Sequence, residues 1–140
     1  MRLYTILLFA LGASAQIHIP HVGIARFGDG TVRRVAGVSG SLTSSQPLMD
    51  GALRVGGSDQ LAVAKLARSV RVFDASGSVL YESPAPDGGA VIGFSRDGAQ
   101  ALVYFSSGPS LAICSPAACD DVEATPPAGV RAVALASREA

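Results

Sequence analysis

The chain has no tryptophan, a single lysine, two histidines and two cysteines among its 140 residues. Each scarcity closes off a class of function. Both histidines, His18 and His21, stand near the N-terminus, so the later segments carry no imidazole to serve as a general base or a metal ligand. Charge of either sign is sparse and scattered, and the formal net charge is 0. With no basic block, nothing electrostatic invites nucleic acid or an anionic membrane surface. A long apolar run occurs once, from Leu3 to Leu11. It is about half of the roughly 20 residues a membrane-spanning helix needs, so no integral membrane segment is expected in the mature chain.

What is present begins with that run. Met1-Arg2 supplies a charged start, Gly12 breaks the apolar stretch, and Ala13-Ser14-Ala15 is a small-residue cleavage site. The pattern predicts a signal peptide over 1–15 and a periplasmic or secreted protein beginning at Gln16. Residues 16–22 read as a flexible mature N-terminus. In such an oxidising compartment Cys114 and Cys119, separated by Ser-Pro-Ala-Ala, are expected to form a structural disulfide across a tight turn. The C-x-x-C spacing of a redox-active pair is absent.

The remaining segments are short, apolar and divided by turn chemistry, which predicts an all-β fold. Asp29-Gly30, Ser76-Gly77, Asp87-Gly88-Gly89 and Asp97-Gly98 supply the positive-φ positions of tight turns. Ala101 to Phe105 is apolar without alternation, so both faces of that strand must be covered by stacked sheets. Residues 37–50, rich in Gly, Ser, Thr and Gln, read as a long connection. Val130 to Ala136 suits a strand or a frayed helix equally. A repeat is visible: Val55-Gly56-Gly57-Ser58-Asp59 precedes Leu61-Ala62-Val63 as Phe94-Ser95-Arg96-Asp97-Gly98 precedes Ala101-Leu102-Val103, with an offset of 39 between Val55 and Phe94. A further step reaches Val133-Ala134-Leu135. A period of roughly 40 residues with four short strands is that of a propeller blade.

Phe94-Ser95-Arg96-Asp97-Gly98-Ala99-Gln100-Ala101-Leu102-Val103 resembles the F-S-P-D-G-x-x-L-A-V signature of WD40-like and TolB-type β-propeller repeats, with Arg96 in place of proline. Val70 to Asp74 with Ser76-Gly77 resembles the third strand and following turn of such a blade. The resemblance implies four-stranded antiparallel sheets in blade-like repeats: a half blade over 23–36, the loop 37–50, blades over 51–86 and 87–126, and a partial blade over 127–140. That is too few for a closed ring, so an incomplete propeller is expected. The family motif describes how strands turn and carries no activity with it.

Candidate chemistry is thin. A terminus at Gln16 places His18 third, where the amine, two backbone nitrogens including that of Ile17, and the imidazole could hold Cu²⁺ or Ni²⁺ in a square plane. A mobile tail with incidental histidines is the plainer account. Gly37-Val38-Ser39-Gly40 falls one residue short of a G-x-S-x-G elbow. Asp120-Asp121, adjacent on a strand, point to opposite faces and do not form a catalytic pair. Asp74-Ala75-Ser76-Gly77 has too few oxygen ligands for a calcium loop. Arg26, Arg33 and Arg34 form the densest basic spot and read as surface charge. Phe73, Tyr81, Phe94, Tyr104 and Phe105 read as core rather than a sugar-stacking platform.

The sequence therefore predicts a non-enzymatic exported binding or interaction module, complete or a fragment of a longer chain. It needs no cofactor, its partner is expected to be a protein or peptide, and it can self-associate through unpaired strand edges. The alternative is the N-terminal propeller part of an exported hydrolase whose catalytic domain is missing.

Overall fold

The structure, a computed structural model, describes residues 21–136. The expected leader and the Gln16, Ile17 and His18 site lie outside the described residues. Eleven strands in three antiparallel sheets, with no helix, make up the described chain. The first sheet holds β1 (His21–Arg26), β2 (Val32–Val38) and β3 (Ser41–Ser44). The second holds β4 (Arg54–Gly57), β5 (Leu61–Lys65), β6 (Ser69–Asp74) and β7 (Val79–Pro84). The third holds β8 (Ala90–Phe94), β9 (Ala101–Phe105), β10 (Ser110–Cys114) and β11 (Cys119–Val122).

Every sheet is a meander in which each strand pairs with the next, because the connecting turns are too short for any other path. Aspartates close several of these turns. The Asp74 carboxylate accepts from the Ser76 hydroxyl at 2.6 Å and the Ser78 amide at 2.9 Å. Asp97 accepts from the Ser95 hydroxyl at 2.6 Å, and Asp29 from the Thr31 hydroxyl at 2.7 Å. Gly30, Gly77, Gly88 and Gly98 all take positive φ, as the Asp-Gly and Ser-Gly pairs require.

The second sheet lies between the other two. Ala62, Ala64 and Phe73 pack on Val32, Met49 and Ala52 of the first-sheet side, while Leu61, Val63, Val70 and Val72 pack on Ala101, Val103, Phe105 and Ala112 of the third. This is why β5 is buried at all five positions: alternate side chains enter two different interfaces. Burying a side chain such as Val63 or Val103 contributes roughly 1.5–3 kcal/mol. The first strands of the sheets sit together, β1 against β4 and β4 against β8. Gly56 permits the approach of β4 to β8, since a Cβ there would stand 3.0 Å from the Phe94 ring.

Three sequence expectations differ in detail. Residues 37–50 carry a strand: Val38 and Ser41 pair across the two-residue turn Ser39-Gly40, and β3 runs back along β2. All four β3 residues are exposed, so backbone hydrogen bonds rather than an apolar pattern hold it, and the pattern was blind to it. The match of Val55 to Phe94 is not kept in the register: Phe94 pairs with Ala101 as Gly57, not Val55, pairs with Ala62, so the first strands are 37 apart where the second strands are 39 apart. Two extra residues in the β8–β9 turn account for the difference. Residues 130–136 are neither regular strand nor helix; they run extended beside β8, with one parallel bridge from Leu135 to Ser95.

Candidate functional site

Strand alternation divides the first sheet into two unlike faces. Val32 and Ile24 turn toward the second sheet. On the opposite face the register sets Gly23 beside Val35 and Ser44, Ala25 beside Arg33, and Leu42 beside Gly37. Nothing among the described residues packs over this face, and it forms an open apolar hollow of about 460 Å³ that includes Val22, Phe27, Val35 and Leu42. Leu42 is 60% exposed, Val22 57% and Phe27 36%. At its margin the Arg33 guanidinium lies 5.3 Å from the Phe27 ring centroid and 3.5 Å from the Asp29 carboxylate.

The far face of the third sheet is treated differently. The chain after β11 folds back over it: the Tyr104 hydroxyl donates to the Pro127 carbonyl at 3.3 Å, and the Val133 backbone lies directly on Gly93. One end of the stack of sheets is thus covered by the chain itself, and the other presents apolar side chains to solvent.

The residues singled out in the sequence are dispersed. Arg26 donates to the Ala52 carbonyl at 2.6 Å and Arg34 to the Ser76 carbonyl at 3.0 Å, while Arg33 serves the opposite face, so the three do not converge. Ser39 is exposed in its hairpin turn with none of the strand-to-helix geometry of a nucleophile elbow. Asp120 and Asp121 pair with Ile113 and Ala112 on an edge strand and point to opposite sides. Phe73, Tyr104 and Phe105 are core residues. Among the described residues no three His, Cys, Asp or Glu side chains gather as a metal site would need.

The Cys114 and Cys119 sulfurs stand at bonding distance, 1.94 Å, joining directly opposed residues of β10 and β11. The Tyr81 hydroxyl reaches across from the second sheet, donating to the Ser115 carbonyl at 2.8 Å beside this bridge. Burial, with the Asp120 charge adding to it, pushes the Tyr81 phenol up to about 12, so it remains a proton donor in this contact throughout the neutral range. No protein-family model, curated protein or solved structure matches the chain. Its chemistry must be read from its own residues.

One of those residues, Lys65, carries no sequence signal beyond being the only lysine. It is fully buried, and its amine donates to the Leu66 carbonyl and, at 2.9 Å, to that of Ala67, closing the turn after β5. Burial holds the amine below its ordinary value, partly offset by the Asp87 carboxylate. With its donors committed to backbone carbonyls and the Phe105 ring 6.0 Å away, its role is structural.

Proposed function

We propose that this protein is an exported, non-enzymatic binding module built from β-propeller-type repeats, and that the outer face of its first sheet receives an apolar β-sheet face of a protein partner. The open hollow around Val22, Phe27, Val35 and Leu42 carries this reading. Soluble proteins seldom leave a contiguous apolar patch uncovered unless something binds there. The occupant is inferred from how the molecule packs elsewhere: both internal interfaces are sheet on sheet, with small and branched apolar side chains meeting across them. The partner's sheet repeats that contact once more. The blade-like reading is supported by the side-by-side first strands β1, β4 and β8 and by the parallel course of residues near Leu135 beside β8. Export rests on the leader pattern of residues 1–15.

Two measurements test the reading. Protein recovered from an exporting host should begin at Gln16 by mass, and a retained Met1 would remove the export claim. Purified protein should melt cooperatively yet bind a hydrophobic dye, and a Leu42→Glu/Phe27→Glu double variant should melt in the same way without binding it. Dye binding that persists in that variant, or melting without cooperativity, would show that the dye reports loose packing and not a formed surface.

A further inference from the structure

A second cavity, of about 210 Å³, opens where the first strands of the second and third sheets meet; Arg54, Val55, Ala90, Val91, Ile92 and Arg131 line it. We propose that it binds a small phosphate-type dianion between Arg54 and Arg131. The two arginines come from β4 and from the segment beside β8, far apart in sequence, and line one cavity only because the sheets stack. No carboxylate lines the cavity. The ion pairs among the described residues are Arg33 with Asp29, Arg68 with Asp87 and Arg71 with Glu82, so neither cavity arginine is neutralised by one of them.

The backbone adds donors at the same place. The Ser95 amide donates to Gln100 and the Gly89 carbonyl accepts from Ser106, so both residues turn their polar groups toward β9. Alternation then turns the N–H groups of Ala90 and Ile92 to the opposite edge, where no strand of the sheet pairs with β8 and the bridge from Leu135 meets it only at Ser95. A strand edge presents donors and acceptors in turn; the two arginines decide the sign of the site. Their ten N–H donors exceed the roughly four lone-pair positions of one carboxylate, which favours the larger oxygen set of a phosphate gripped by two forks. The volume falls below the roughly 300–1,000 Å³ of pockets for drug-sized ligands, so only a phosphate or a compact phosphomonoester fits. This site is distinct from the open first-sheet face and stands whether or not that face binds a partner.

The test is ¹H–¹⁵N NMR titration of the purified protein with inorganic phosphate at constant ionic strength, with glycerol phosphate in a second arm. The Ala90 and Ile92 amides should shift saturably, and Arg54→Gln and Arg131→Gln should each weaken binding about tenfold or more while the remaining spectrum is kept. Arg96→Gln, an exposed arginine outside the cavity, should bind as the parent does. Tighter binding of glycerol phosphate identifies a phosphomonoester as the ligand; equal affinity identifies phosphate itself. Absence of saturation by about 10 mM phosphate, or equal affinity in the parent and both cavity variants, would overturn the proposal.

Discussion

The Val133 carbonyl oxygen occupies the space a side chain on Gly93 would need: a Cβ there would lie 1.9 Å from it. Glycine at this position is therefore what lets the C-terminal segment lie against β8 and cover the last sheet. Gly93→Ala should lift that segment, and trypsin should then cleave after Arg131 faster than in the parent. Unchanged cleavage would mean that the segment is not held at Gly93.

The Cys114 to Cys119 bridge closes a four-residue turn between two strands that are already paired. So short a ring removes little freedom from the unfolded chain, and its contribution should be on the order of 2 kcal/mol. A Cys114→Ser/Cys119→Ser variant should still fold and should lose about that much in urea denaturation, with an unchanged slope. Failure to fold would show that the bridge is essential to the third sheet and not an addition to it.

Acid should weaken the fold through its turns. Hydroxyl donation by Thr31, Ser76 and Ser95 holds Asp29, Asp74 and Asp97 below their ordinary value of 3.8. The Ser69 hydroxyl, followed by Arg71, does the same for Glu82 below 4.5. Because the folded values are the lower ones, the unfolded chain takes up protons first. The stability these groups supply is complete above their unfolded values and is lost as pH falls through the folded ones. The urea midpoint should therefore be level from neutrality to about pH 5 and decline below about pH 4. Asp74→Asn should make that decline shallower; an unchanged pH profile in the variant would remove Asp74 from the account.

What the sequence revealed, and what it hid, follows from the kind of signal each feature leaves. β5 is readable because the apolar run Leu61 to Ala64 follows the turn residues Ser58-Asp59 and is broken by Lys65. The four turn glycines are readable because their neighbours are aspartate or serine. β3 leaves no pattern, since both of its faces meet solvent. Lys65 hides because one buried amine satisfied by local carbonyls resembles the end of a strand. The open first-sheet face is invisible in one dimension: Val35 and Val32 look alike in sequence, and only the stacking decides that one is covered and the other is not. Arg54 and Arg131 meet for the same reason.

The central claim, a folded module with one apolar sheet face left open, is tested most directly by methyl NMR with a soluble paramagnetic agent added to the free protein. The methyls of Leu42 and Val22, on side chains 60% and 57% exposed, should be strongly broadened, while those of the fully buried Val63 and Val103 should be protected. Protection of Leu42 and Val22 equal to that of Val63 and Val103 would mean that the face is already covered, and would contradict the account.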